Sequence, residues 1–308
     1  MRAGNFYNRI ALQESEENIM ARVLENERLL IEVEERGSQL VRIYDKKNDR
    51  EVLWNADPAF WPKHSPLLFP MIGASFEKKY RVNGKEYDMP NHGFAWTSDF
   101  TFVDAEDGLA AELASSAESK EKYPYDFKVT VGHKLDGNKI IVSWKVENTG
   151  AEEMLYSIGA HPAFMMPEGK KTSDMYLAFP GKSDLPFYRI AKSGCALKDD
   201  VKTLPLDADS CVKITEDFWN EDVYIFDHQE LDEVALYHED KTPYVIIHSE
   251  GFPYFGVWTK PGAPFVCLEP WQGRCDVDGY NGELKDKDGI RKLAAGKAEE
   301  FSYIIEIA

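Results

Sequence analysis

The dominant spacing of apolar residues along this chain is two. Within residues 139–147, Ile140, Val142, Trp144 and Val146 fall on one side of an extended backbone, while Ser143, Lys145 and Glu147 fall on the other. Phe127, Val129 and Val131 alternate with Lys128 and Thr130 in the same way. Asp136-Gly137, between the two runs, supplies residues that tolerate the positive φ angles of a tight hairpin. Asn83-Gly84, set between 80–82 and 85–87, repeats that signal. Leu29, Ile31 and Val33 near the start predict a further half-buried strand, as do Phe301, Tyr303, Ile305 and Ile307 at the end. Helical spacing is scarce: residues 10–27 carry a weak amphipathic pattern that predicts a short helix, and 105–122 holds helix-favouring Ala and Glu. Many short strands punctuated by Gly, Asn, Asp and Pro predict an all-β fold, a large β-sandwich. No composition shift or Gly/Ser linker divides the chain, so residues 21–308 are expected to form one domain behind an extension of residues 1–20.

Composition narrows the partners. The 43% hydrophobic fraction is that of a folded globule, and 54 acidic against 36 basic residues give a net charge of -18. A surface that negative repels phosphate backbones and anionic lipid, so neither nucleic acid nor a membrane surface is expected to bind. No apolar run approaches the roughly 20 residues of a membrane span, and residues 1–18 lack the apolar core of a secretory signal. Cys195, Cys211, Cys267 and Cys275 form no CxxC pair, which suits free thiols in a reducing cytoplasm. The seven histidines offer no HxH or HExxH pair, and GxSxG, Walker and GxGxxG motifs are missing. No metal, nucleotide or other cofactor is therefore expected.

Three segments embed one ionisable side chain each among aromatics, glycine and proline: Met89-Pro-Asn-His92-Gly-Phe-Ala-Trp96, Ile158-Gly-Ala-His161-Pro-Ala-Phe164 and Pro264-Phe-Val-Cys-Leu-Glu269-Pro-Trp271. Glu269 ends an apolar strand, where desolvation raises a carboxyl pKa and makes a better base near neutral pH. For a lone glutamate an ion pair, here with Arg274, is the commoner role. His161 and His92 can donate or accept a proton, although a single buried histidine is more often satisfied by backbone carbonyls. Two histidines and a glutamate in such settings point together to a site. Trp271, two residues past Glu269, falls on the same strand face and is a candidate platform for a sugar.

These motifs, with Trp61-Pro-Lys-His64-Ser-Pro66-Leu-Leu-Phe-Pro70 and Trp258-Thr-Lys-Pro261, resemble in the same order those of the aldose 1-epimerase (galactose mutarotase-like) family, specifically its LacX-like branch. The resemblance covers residues 22–307. It implies a β-supersandwich with a sugar in an open cleft, and a cofactor-independent interconversion of α and β anomers of a hexose. It further implies Glu269 as general base, His161 as general acid, His92 as support for the ring oxygen and Asp222 as a ligand of sugar hydroxyls. The expected partner is a small aldose, and the chain is expected as a monomer or homodimer.

The sequence departs from that branch in two places. Gly73-Ala74-Ser75-Phe76 lacks the arginine common after the glycine, leaving Lys78, Lys79 or Arg81 as substitutes, and Trp96 stands where an arginine often ends the His-Gly-Phe-Ala motif. Two alternatives follow: a non-catalytic carbohydrate-binding protein, or a mutarotase of hexose phosphates, which the lost basic positions disfavour.

Overall fold

The computed structural model describes residues 11–14 and 20–308. Among these, the alternating runs build a nine-stranded sheet around the hairpin of Phe127–Asp136 and Lys139–Asn148. Val129 lies opposite Val146, Val131 opposite Trp144 and Leu135 opposite Ile140, so the apolar positions of both strands share the buried face. Ala298–Ile307 and Leu109–Ala114 flank the hairpin.

The second large sheet has eight strands. It runs from Ala196–Pro205 through Asp184–Ile190, Tyr224–Asp227, Tyr254–Trp258, Phe265–Gln272 and Ile158–Ala160 to Leu67–Leu68, and Ala163–Met165 also pairs with Phe265–Gln272. Its Phe226, Phe255, Val257, Val266 and Leu268 join Val129, Val142 and Trp144 of the first sheet in one apolar core. Alternate residues Phe265, Cys267, Glu269 and Trp271 therefore face away from that core. They are not left to solvent: every residue of Phe265–Gln272 is buried, because loops close over the outer face. A strand buried on both sides is where an ionisable side chain stands out.

Both hairpins form, the second with its loop one residue later than the Asp136-Gly137 expected. Val82 pairs with Lys85, and Asn83 and Gly84 between them both take positive φ, 51° and 76°. Both signs match the right-handed twist of the flanking strands. Asp136 pairs with Lys139, leaving Gly137 (φ 57°) and Asn138 as the loop.

The helix expected over 10–27 does not form. Ala11–Glu14 and Met20–Glu25 are strands of a five-stranded sheet, the latter hydrogen-bonded to Leu29–Glu34. Ala21 and Leu24 are buried against a neighbour whose Leu29, Ile31 and Val33 are fully enclosed. Tertiary pairing overrides a weak local preference. Residues 1–10 and 15–19 of the expected extension lie outside the described residues. The 105–122 segment divides into the strand Leu109–Ala114 and a short helix, Ala117–Lys122, capped by Ser116. All four cysteines are free and buried. Among the described residues no helix is long and apolar enough to cross a membrane.

Candidate active site

The outer face of the eight-stranded sheet carries a cavity of about 210 Å³. Its floor is the indole of Trp271, which lies flat across neighbouring strands. Gly159 pairs with Trp271 on one side and Gly256 with Glu269 on the other. A Cβ at Gly159 would sit 2.6 Å from Trp271 Cδ1, and a Cβ at Gly256 would overlap the six-membered ring. Only glycine leaves room for the ring on both sides. The indole N–H donates to the Ala160 carbonyl at 3.2 Å, which holds the platform in place.

His161 lies between the strands Ile158–Ala160 and Ala163–Met165, both paired with Phe265–Gln272, so its imidazole stands beside Glu269. Its Nε2 lies 3.4 Å from Glu269 Oε2, with the two side chains 8% and 1% exposed. Trp61 stacks on the imidazole at 4.9 Å between centroids, and Trp258 meets it edge-on at 5.8 Å. Among the described residues neither Glu269 Oε2 nor His161 Nδ1 has a hydrogen-bond partner. Buried polar atoms left in that state call for a ligand that completes them.

His92 meets His161 edge-on, 5.3 Å between centroids. It sits in a left-handed turn, φ 66°, followed by Gly93 at φ 72°. Gly93 is pressed against the Phe69 backbone where any Cβ would collide, and the amides of Phe94 and Ala95 both donate to the Phe69 carbonyl at 2.9 and 3.1 Å. The Gly73 N–H donates to His92 Nδ1 at 3.2 Å, which leaves Nε2 as the ring's proton donor. Asp222, at φ 66° after the 3-10 turn Phe218–Glu221, stands exposed at the rim and accepts the Trp258 indole N–H at 3.0 Å. The structure thus brings all five expected residues, Glu269, His161, His92, Asp222 and Trp271, to one cavity.

Electrostatics sets the protonation. Burial pushes the Glu269 carboxyl well above the ordinary glutamate range. Burial, with help from His92 and Lys63, pushes His161 well below the ordinary imidazole range, and burial with Lys63 lowers His92 to about 4. The expected structural role for Glu269 is not found: Arg274 instead pairs with Asp227 at 3.1 Å and with Asp288, and among the described residues the ionisable group facing Glu269 is His161.

Nor do Lys78, Lys79 or Arg81 replace the missing arginine. None lines the cavity, and Lys79 and Arg81 are tied to Glu86 on a surface hairpin. The nearby positive charge comes from Lys63, whose ammonium rests 3.6 Å over the Trp96 ring. Sequence reasoning passed over Lys63 and Trp61 as site residues, although both stand in the 61–70 run. Their signal is weak because only folding sets that loop above His161.

Fold and cavity together define a galactose mutarotase-like β-sandwich. The chain belongs to the aldose 1-epimerase family, whose sequence pattern it matches over residues 20–287. It is 30% identical over 299 residues to the chromosomal protein LacX of Lactococcus lactis subsp. lactis, covering 92% of this chain and 98% of that one. A galactose mutarotase related enzyme from Lactobacillus acidophilus superposes with a TM-score of 0.88 at 25% identity, covering 94% of this chain and 97% of the other. A galactose mutarotase-like protein from Lactobacillus casei gives 0.86 at 27% identity, over 94% and 100%.

Proposed function

We propose that this protein is a mutarotase that interconverts the α and β anomers of an aldopyranose by acid–base opening and reclosure of the ring. The observation that carries the reading is the 3.4 Å approach of His161 to Glu269 inside the cavity, with polar atoms on both still unpartnered. Ring opening needs a base at the C1 hydroxyl and an acid at the ring oxygen. One carbon bears both oxygens, so the two groups have to stand side by side.

Glu269 takes the hydroxyl proton, the O–H electrons become the second bond of the C1 carbonyl, and the bond from C1 to the ring oxygen breaks. His161 protonates the departing oxygen. The sugar is then an open-chain aldehyde facing a protonated carboxyl and a neutral imidazole. Rotation about C1–C2 turns the other carbonyl face inward, and the groups exchange roles as the ring closes. His92 Nε2–H supports the ring oxygen, Asp222 accepts from a sugar hydroxyl, and Trp271 carries the C–H face of the ring. The pair holds one proton throughout, and burial favours its neutral arrangement, which is the one that meets the open-chain sugar. Each group contributes on the order of 10²–10⁴-fold. Four buried free thiols suit a cytoplasmic setting.

Exchange NMR on freshly dissolved aldoses tests the reading. The rate of anomer equilibration should rise with enzyme and collapse in Glu269→Gln, and full activity in that variant would remove Glu269 from the mechanism. Among the described residues no lysine or arginine lines the cavity, which disfavours a phosphorylated substrate. The same feature favours one second reading, sugar binding without turnover. Calorimetric binding with no change in anomerisation rate would identify it.

A further inference from the structure

Three side chains able to ligate a metal converge where Glu269 meets His161. One ligand atom each from Cys267, His161 and Glu269 lies within 4.8 Å of the other two, and all three residues are buried. Cys267 and Glu269 flank Leu268 on one strand, so both enter the layer under the loops while Leu268 enters the core. Ala163 pairs with Cys267 and Gly159 with Trp271, which sets His161 level with Glu269 between them. Strand parity and cross-strand pairing assemble the set, so no short ligand motif announces it in the sequence.

Zinc bonds nitrogen and oxygen at about 2.0–2.2 Å and thiolate at about 2.3 Å, so ligand atoms of a tetrahedral site stand roughly 3.3–3.6 Å apart. His161 Nε2 and Glu269 Oε2 already stand 3.4 Å apart. The thiol completes the set with a side-chain movement on the order of 1 Å. Among the described residues Glu269 Oε2, on a side chain 1% exposed, has no hydrogen-bond partner and is free to bind. Charge balances as well. On binding, the Cys267 thiol proton and the proton shared by Glu269 and His161 leave to solvent. Sulfur, nitrogen and oxygen then each donate a lone pair to the ion. The thiolate and carboxylate cancel its two positive charges, so no net charge is buried. Calcium and magnesium suit the set poorly, because they need about six oxygen ligands and it offers one carboxylate beside a soft sulfur. His161 and Glu269 line the cavity, which gives the ion a route in and leaves its fourth position to water.

We propose that thiophilic divalent ions, zinc foremost, bind across Cys267, His161 and Glu269 and switch the site off. The inhibition rests on the acid–base reading of Glu269 and His161, since an ion that holds both lone pairs leaves neither group to move a proton. The binding needs only the three ligand atoms.

The experiment treats the full chain with a chelator and then adds zinc or cobalt. Cobalt should show a thiolate-to-metal charge-transfer band in the near ultraviolet. Zinc should suppress anomer exchange by NMR, reversibly on chelation, whereas magnesium should not. Cys267→Ala keeps both acid–base groups and should retain the metal-free rate, with a melting curve confirming that it folds. It should lose the cobalt band and at least about 100-fold in zinc affinity, because even the partners that merely orient metal ligands are worth about 10–100-fold. Cys275→Ala removes the thiol that lines the cavity and should keep the band. The band on the unaltered chain tests the site even where Cys267→Ala does not fold. The inference is overturned if cobalt binds without that band, if folded Cys267→Ala keeps its zinc affinity, or if bound zinc leaves the rate unchanged or raises it. If no sugar is turned over with or without metal, the acid–base reading fails on its own account, and the cobalt band and the Cys267→Ala affinity decide the metal site.

Discussion

The hairpin of Phe127–Asp136 and Lys139–Asn148 and the strand Phe265–Gln272 lie in opposite sheets and contribute to the same core. In the hairpin, burial alternates, and the outward row of Lys128, Thr130, Lys145 and Glu147 meets solvent. Lys128 and Glu147 pair there at 3.0 Å across the strands. In Phe265–Gln272 both faces are covered, and position parity decides which of two buried layers a residue enters. Val266 and Leu268 enter the layer between the sheets, and Glu269 and Trp271 the layer under the loops. A polar residue on the hairpin's outer face is hydrated at no cost. One on the second layer of Phe265–Gln272 is desolvated, its pKa moves, and it is left seeking a partner. That contrast separates the part of the molecule that holds the fold from the part that carries the site.

Substitutions can break the contrast from either side. The largest effect is expected for Glu269→Gln, where the anomerisation rate should fall by about 10²–10⁴-fold while the melting temperature holds or rises, because a desolvated acid has been replaced by an amide. Trp144→Ala should do the reverse. It removes a ring packed against Phe252 and Tyr303 and should cost about 3–5 kcal/mol in denaturant titration, with kcat unchanged in the folded fraction.

Gly256→Ala couples the two regions. The added methyl collides with the Trp271 ring, and a stability loss of about 1–3 kcal/mol should come with a higher KM. The pH profile is a milder test. Since burial drives His161 down and Glu269 up, the shared proton should stay in place as the pH falls through the ordinary histidine range, with the acid limb well below 6.5. A limb at the ordinary histidine value would contradict a desolvated pair. Smallest of all, Lys128→Ala on the solvated face should change neither melting temperature nor rate, as is usual for exposed pairs.

Most of the fold was legible because alternation reports burial directly. Ile140 to Val146 and Leu29 to Val33 could be read from spacing alone. The 10–27 segment could not, since its state depends on a neighbouring strand that its own residues do not encode. The ionisable residues of the site were legible through Glu269, His161 and His92, each set among aromatics, glycine and proline. What stayed hidden were relations across the chain: Lys63 over Trp96, Trp61 over His161, and Arg274 committed to Asp227 and Asp288. Gly159 and Gly256 are unremarkable in sequence, and nothing local announces that one indole needs both.

That last arrangement constrains how the protein can change over time. With residues 159, 256 and 271 interlocked, a side chain can enter at either glycine only after the indole has shrunk or moved, and a smaller residue at 271 would open a void under the sugar until something filled it. Single steps away from this trio are all penalised. Descendants that alter it should differ at two of the three positions together, and a collection of sequences sharing this cavity should show those positions varying as a set.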